Sequence, residues 1–402
     1  MIQRLLVCRS RGFDPYENLA LEEALLHRVG EGELILYLWQ NERTVVIGRN
    51  QNPWKECRTA LLSEEGGHLA RRLSGGGAVF HDLGNLNFTF LMNEADYDLP
   101  RQLTVLERAC RSLGVPAQRS GRNDLLAEGR KFSGNAFYQH AGKAYHHGTL
   151  MVDVDLERVQ RYLSPSKAKL AAKGVDSVRS RVVNLREFVP TLSVRQLENA
   201  LIAALAEVYA AAAHSVRHIE ATGNRQQATG DGGREASGNR QQATGDGGRE
   251  ASGNRHQASG DGGREETAKA FPLRGRCPSA HTGADEVVPL ELLSPDEFDL
   301  RDLTAKYASD AWLYGPKLPF TISVEERFPW GGVELQLNVN EGVIQAAKLY
   351  TDAMDETLAP RLEAALTGCV FRLPELQARL EQSGLPADQE QSLLPLLEKT
   401  FD

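Results

Sequence analysis

The stretch Arg71-Arg72-Leu73-Ser74-Gly75-Gly76-Gly77-Ala78-Val79-Phe80-His81-Asp82 is the densest cluster of special residues in the chain. Three consecutive glycines let the backbone approach a ligand closely and turn successive N–H groups toward an anion. Arg71 and Arg72 add fixed positive charge of the kind that suits phosphate or carboxylate. The same words also describe a tight turn between two strands, so the motif alone leaves a ligand role open. It is not a Walker A loop, because no Gly-Lys-Ser/Thr follows, and no Gly-x-Gly-x-x-Gly marks a dinucleotide fold.

On either side lie short β-rich runs. Leu34 to Trp39 and Thr44 to Ile47 flank the polar turn Gln40-Asn41-Glu42-Arg43, and Ala78 to Phe80 with Asn87 to Leu91 read as a second such pair. Arg4 to Cys8 reads as a strand. A helix follows, started by Asp14 as N-cap, Pro15 at the first helical position and Glu17 at the third. Further helices are expected at Gln102 to Leu113 and Val194 to Ala213. Helices alternating with hairpins, without regular βαβ spacing, imply an α+β fold.

Three more segments carry candidate chemistry. Gly121-Arg122-Asn123-Asp124 leads to Arg130-Lys131-Phe132-Ser133-Gly134-Asn135-Ala136, a polar turn and a lysine framed by small residues. A lysine so placed can neutralise a carboxylate and an α-phosphate as an acyl-adenylate forms, though spacing alone also fits an ordinary exposed lysine. Tyr145-His146-His147-Gly148-Thr149-Leu150 has adjacent histidines; on a strand they face opposite ways, so one packs and the other meets a pocket, and they do not share a metal. Lys167 to Arg181 is strongly basic, suited to phosphates or an acidic surface, or simply a solvated charge run.

From Thr222 to Glu266 the chain changes character. TGNRQQATGDGGREA, SGNRQQATGDGGREA and SGNRHQASGDGGREE follow one another with almost no large apolar side chain. The period, about 15 residues, is short of packed solenoids, and no copy can bury enough surface to offset its ordering entropy. A flexible insertion is expected. Beyond it, Asp296 to Ala311 reads as a helix and Trp312 to Pro319 as a turn-rich joint. Phe320 to Val324, Val333 to Val339 and Val343 to Leu349 read as strands, with Gly331-Gly332 and Asn340-Glu341-Gly342 as turns and two helices after them.

The bulk numbers exclude more than they assign. The 402 residues are 41% hydrophobic and 25% charged, as expected of a soluble protein of about two domains. A formal net charge of −8 argues against sequence-independent nucleic-acid binding. Five scattered cysteines make neither a zinc site nor a disulfide framework. The run Leu201 to Ala213 is broken by Glu207 and too short to span a membrane, the N-terminus reads as neither signal peptide nor presequence, and a cytoplasmic location is expected.

Taken in order, QNPWKEC (Gln51 to Cys57), RRLSGGGAVFHDLGN (Arg71 to Asn85), GRND (Gly121 to Asp124), KFSGNA (Lys131 to Ala136), HHGTL (His146 to Leu150), KLAAKGVDSVRSRVVNL (Lys169 to Leu185) and ERFPWGGVEL (Glu326 to Leu335) resemble the lipoate-protein ligase A family. The resemblance covers nearly everything but the repeats. It implies a biotin/lipoate protein ligase-like α+β catalytic domain and a small α+β C-terminal accessory domain. The division expected is 1–218 catalytic, 219–286 insertion, 287–317 connection and 318–402 accessory.

It further implies that (R)-lipoate is adenylated by Mg2+-ATP and the lipoyl group passed to a lysine of an acceptor, a lipoyl domain of a 2-oxoacid dehydrogenase E2 subunit or the glycine-cleavage H protein. By position, Arg72, Gly77, Ala78, Val79, Phe80 and Lys131 look like the ATP-binding set, and Lys131 and Arg72 the lipoate-binding set. Lys131 would act by electrostatic stabilisation, since the attacking amine belongs to the acceptor. Gly75, Gly76, His81, Arg122, Asn123, Asp124, His147 and Thr149 are second-tier pocket residues, and the segments around Leu38 and Val79 are expected as walls of the apolar tunnel. Asp82 and Asp124 are available to Mg2+, with nothing to single them out. The rival readings are a lipoyl or octanoyl transferase using a preactivated donor, whose thioester version needs an active-site cysteine where Cys57 and Cys110 do not fit; a non-catalytic scaffold; and a biotin ligase, whose Gly-Arg-Gly-Arg segment is missing. Deleting Thr222 to Glu266 is expected to leave both half-reactions intact.

Overall fold

The computed structural model describes residues 2–121, 124–164, 182–209, 289–315 and 319–401. Arg122, Asn123, the basic segment Lys167 to Arg181, Cys277 and the repeats lie outside the described residues.

Fourteen strands are described: β1 (Arg4–Arg9), β2 (Glu33–Trp39), β3 (Thr44–Ile47), β4 (His68–Arg71), β5 (Val79–His81), β6 (Asn85–Asn93), β7 (Ala117–Ser120), β8 (Asp124–Ala127), β9 (Arg130–His140), β10 (Lys143–Met151), β11 (Leu290–Leu293), β12 (Ile322–Phe328), β13 (Gly331–Asn340) and β14 (Val343–Thr351). An eight-stranded sheet runs β11-β1-β2-β6-β10-β9-β8-β7, and two three-stranded sheets run β4-β3-β5 and β12-β13-β14. The fold is α+β.

Helix α1 (Pro15–Arg28) starts as its sequence directs, with the Asp14 carboxylate accepting from the N–H groups of Tyr16 and Glu17 at 2.7 and 3.1 Å. It covers one face of the large sheet, where Leu19, Leu25 and Leu26 pack on Ile35, Tyr37 and Leu91. The other face belongs to α2 (Leu99–Ser112) and α3 (Val194–Tyr209). Helix α2 buries Gln102, Val105, Leu106, Ala109 and Cys110, the spacing of a single helical stripe, against Phe88, Phe90 and Leu201. This face is mainly apolar, and the polar groups it buries, such as Gln102 and His146, bond to one another. The polar groups of the α1 face prove to be the site.

Several expectations need correction. The runs around Gln40 to Arg43, and those on either side of His81, do not form hairpins: β2 and β6 belong to the large sheet, β3 and β5 to a small one. Asn18 draws the first turn inward by donating to Gln40 O and to the buried Asn41 side chain, so the chain leaves the large sheet there. The helix expected over Asp296 to Ala311 is broken into a 3-10 turn, α4 (Arg301–Ala308) and α5 (Asp310–Leu313): Asp299 accepts from Arg301 N just ahead of α4, and Ser309 caps α5 by accepting from Trp312 N. Gly331 and Gly332 lie inside β13; the turn falls at Pro329 and Trp330, since pairing continues to Phe328 opposite Gly331. Three helices, not two, close the chain: α6 (Leu358–Leu366), α7 (Leu373–Glu381) and α8 (Ala387–Glu398). They bury Leu362, Leu376, Leu393 and Leu397 against Val333, Leu335 and Leu337 of β13, a separate core. Within the stretch read as a connection, Leu290–Leu293 adds β11 in parallel beside β1.

Among the described residues no helix is long and apolar enough to cross a membrane.

Candidate functional site

On the α1 face of the large sheet, neighbouring strands present Trp39, Asn87 and Thr149 in one row and Tyr37, Thr89 and His147 in the next. Above them the glycine segment crosses from β4 to β5. Between the two lies a cavity of about 210 Å³, lined among others by Leu19, Trp39, Val46, Val79, Ala136 and Met354 on its apolar side. Arg72, His81, Asn87, Lys131, His147 and Thr149 supply its polar wall.

The loop is held from behind by Arg72, whose Nη2 donates to Gly75 O and Gly77 O at 2.7 and 2.8 Å, Nη1 to Val46 O at 3.2 Å and Nε to Ser74 Oγ at 3.0 Å. Burial lowers its pKa to about 10, which leaves the guanidinium charged. Its donors thus go to protein, and its action on a ligand comes through charge and through the loop it shapes. Gly76 sits at φ +89°, open to glycine at no steric cost. A Cβ on Gly75 would run into the Ala353 and Met354 carbonyls, so this glycine is a matter of close approach. Arg71 turns away: buried, it donates to the carbonyls of Gly48, Arg49, Gln51, Trp312 and Leu313.

Lys131 lies on β9. Its ammonium pairs with Asp124 Oδ1 at 2.7 Å, both side chains about one third exposed at 38% and 33%. Its carbonyl accepts from Val183 N at 2.9 Å, tying the lysine's backbone to the chain that follows Lys167 to Arg181.

The two histidines divide as β10 requires. His146 points into the helical core, and burial takes its pKa down to about 3. His147 points to the cavity. Its Nε2 lies 2.8 Å from Ser74 Oγ and its Nδ1 2.9 Å from the Glu22 carboxylate, which also accepts from Thr89 Oγ1 at 2.6 Å. A buried carboxylate so partnered holds the imidazole in one orientation and links α1, β10 and the glycine segment.

Of the residues expected from sequence, the cavity thus gathers Arg72, Gly76, Gly77, Ala78, Val79, His81, Lys131, His147 and Thr149. Gly75 and Phe80 lie behind it, Phe80 packed on Tyr162, and Asp124 reaches it through Lys131. In the segment around Leu38, Leu38 itself faces the opposite core and its neighbour Trp39 lines the cavity. Asp82 is spent on structure, accepting from Gly84 N and Asp155 N at 2.8 and 2.9 Å. Glu22, Ser74, Asn87 and Met354 were not anticipated. Glu22 reads as one of several helical acids, and Met354 is too far along the chain for any local pattern to connect it.

Met354 arrives on a loop after β14. Ala353 O accepts from Gly76 N at 2.9 Å, Thr351 N donates to Asn50 O at 2.9 Å, and Asn50 Nδ2 donates to Glu356 O at 2.9 Å. Burial raises the Glu356 carboxyl to about 7.

A model of the lipoyl protein ligase A/B catalytic domain matches residues 14–206, and one of the bacterial lipoate protein ligase C-terminus matches residues 317–392. The chain belongs to the lipoate-protein ligase family. Its enzymatic activity is that of a lipoate-protein ligase. The crystal structure of P. falciparum LipL1 in complex with lipoate shares the fold over 98% of each chain, with a TM-score of 0.68 and 22% identity. A bi-partite lipoate protein ligase from Thermoplasma acidophilum, described together with its E2 lipoyl domain, is 31% identical to this ligase over 52% of it and 84% of its own chain, with a TM-score of 0.47. A lipoate-protein ligase A bound with ATP is 30% identical over 52% of this ligase and 85% of its own chain, with a TM-score of 0.45. The ligase thus carries both segments of the family, the second supplying the loop that bears Met354.

Proposed function

We propose that the ligase joins (R)-lipoate to AMP at the Lys131 end of this cavity and then passes the lipoyl group to an acceptor lysine. The observation that carries the reading is the Lys131 ammonium at the edge of an apolar cavity, opposite a glycine-backed loop. An apolar slot suits the acyl chain, and a fixed positive charge at its end suits a carboxylate. In the first half-reaction a lipoate carboxylate oxygen attacks the α-phosphorus of ATP; a C(O)O–P bond forms and the bond to pyrophosphate breaks. In the second the acceptor ε-amine attacks the lipoyl carbonyl; a C–N bond forms, the bond to AMP breaks, and the amine proton passes to solvent.

Lys131 neutralises the charge that grows on the carbonyl oxygen and the phosphate in both steps, while Asp124 balances it between turnovers. Backbone N–H groups of Gly77, Ala78, Val79 and Phe80 fit the nucleotide, and Arg72 holds that backbone in shape. Among the described residues no cluster of three or more acidic, cysteine or histidine side chains forms a metal cage. Mg2+ would be carried mainly by substrate phosphates and water, with Asp124 a nearby carboxylate able to hold it, and would supply positive charge that offsets that of the phosphates. The acceptor we infer is a lipoyl domain, in keeping with the E2 lipoyl domain described with the Thermoplasma ligase.

A thioester-forming transferase would need a reactive thiol at the cavity, and among the described residues no cysteine lines it. Cys57 and Cys110 are buried, and burial pushes both thiols up to about 12, far from the reactive range.

The test is lipoate-dependent exchange of labelled pyrophosphate into ATP. Wild type is expected to exchange, and Lys131→Ala to lose roughly 100-fold or more, the scale of removing one electrostatic donor. Absence of exchange, with supplied lipoyl-AMP still modifying an apo acceptor, would leave a transferase and overturn the ATP half.

A further inference from the structure

Two donors on the cavity wall find no partner among the described residues: Nε2 of His81 and Nδ2 of Asn87. Both side chains are buried, at 3% and 1% exposure, and both line the cavity. Neither can turn its donor elsewhere, because each is oriented from behind. Asn18 Nδ2 donates to Asn41 Oδ1 at 3.0 Å, which leaves Asn41 Nδ2 to donate to His81 Nδ1 at 3.2 Å. His81 Nδ1 is therefore an acceptor, and the ring proton sits on Nε2. Burial lowers the His81 pKa to about 3, keeping the ring neutral. In the same way Asn85 Nδ2 donates to Asn87 Oδ1 at 2.9 Å and leaves the Asn87 NH2 to the cavity.

Their place in the sheet says which part of a ligand they meet. Asn87 pairs with Trp39 on one side and Thr149 on the other. Thr149 Oγ1 accepts from Gly134 N at 3.4 Å, and a Cβ placed on Gly134 would lie 3.1 Å from the Lys131 ammonium. Two strand spacings, roughly 10 Å, thus separate Asn87 from the Lys131 end. An acyl group with its carboxyl at Lys131 brings its far end, not its carbonyl, to Asn87, His81 and the face of Trp39.

A plain alkyl tail has nothing to offer two dry N–H groups, and a buried donor without a partner is costly. We propose that His81 Nε2–H and Asn87 Nδ2–H form a heteroatom-reading subsite, which selects an acyl group carrying acceptor atoms at its far end over a saturated chain of equal length. On the lipoate reading above, on which this rests, those atoms are the dithiolane sulfurs. Sulfur accepts weakly, so much of the selectivity comes from the penalty a bare chain suffers when it drives water from both donors. A pocket built to hydrogen-bond its substrate rejects an analogue that lacks the bond more strongly than an apolar pocket rejects a missing methylene.

Calorimetric binding of lipoate and octanoate, without ATP, tests this apart from adenylation; a failure of the ligase reading shows in pyrophosphate exchange and leaves the binding ratio readable. Wild type is expected to favour lipoate by about tenfold or more, and Asn87→Leu to bring the two within about threefold, chiefly by tightening octanoate. A second arm needs no variant: 6-oxooctanoic acid, with its keto oxygen at the inner of the two carbons that bear sulfur in lipoate, should bind wild type about tenfold tighter than octanoate. Equal wild-type affinities for octanoate and the keto acid, or a lipoate preference unchanged in a folded Asn87→Leu protein, would overturn the proposal.

Discussion

His146 and His147 are neighbours in sequence, and both are buried, yet they inhabit different chemistries. His146 stands among the rings of Phe88, Phe90 and Phe137, with each ring nitrogen 2.9 Å from a side-chain amide oxygen, of Gln102 and Asn135. Both of its ring nitrogens face protein amide groups. His147, one step along β10, is also bonded at both nitrogens, but its surroundings include His81 and Asn87, whose donors are left open toward a cavity. One face of the sheet spends its polar groups on holding itself together. The other keeps some in reserve for a ligand, and bears their desolvation cost until one arrives.

The sharpest way to break this contrast is His147→Ala. It leaves the Glu22 carboxylate, 1% exposed, without its imidazole, and should cost about 3–5 kcal/mol of stability. Where the protein is still folded, kcat/KM should fall roughly tenfold or more, as the glycine segment loses its tether through Ser74. Unchanged kcat/KM in the folded variant would place His147 with His146 as packing alone.

His146→Ala should behave otherwise. It opens a cavity and strands two amides, at a cost of about 2–4 kcal/mol by denaturant unfolding, while kcat/KM of the folded fraction stays within about threefold of wild type. An activity loss beyond the stability loss would erase the division between faces.

The smallest effect concerns the loop that brings Met354 to the cavity. Burial raises Glu356 from its ordinary 4.5 to about 7. The folded state therefore holds a proton that the unfolded chain gives up, so stability should be full below the ordinary carboxyl value and decline as pH rises to about 7. Allowing for partial solvent exposure the loss is of order 1–2 kcal/mol, and Glu356→Gln should flatten it in thermal melts taken across that range. A profile identical in variant and wild type would sink the assignment.

Much of this was legible in the chain. Asp14, Pro15 and Glu17 announce α1 because capping is local chemistry. The His146-His147 step assigns opposite faces as soon as the segment is a strand, since side chains there alternate. Ser74 to Phe80 and Lys131 stand out as residues whose placement suits an anion. Other features were misread for physical reasons. β2 and β3 look like a hairpin because the turn chemistry is right, yet the buried Asn18–Asn41 contact, a partnership across the fold, sends the chain into another sheet. The unbroken helix expected over Asp296 to Ala311 ignored how strongly Asp299 and Ser309 compete for backbone N–H groups.

What residue types and their spacing settled were the local features: helix starts, strand faces, and a loop free to take φ +89° at Gly76; the lysine they left open between an anion partner and an ordinary exposed residue. Only tertiary structure could decide that Arg72 spends its donors on the loop, that Glu22 and Ser74 grip His147 from two sides, that Met354 closes the cavity from far along the chain, and that His81 and Asn87 keep their donors open. Satisfying a buried polar atom depends on which groups folding brings within about 3 Å, and a linear pattern does not encode that distance.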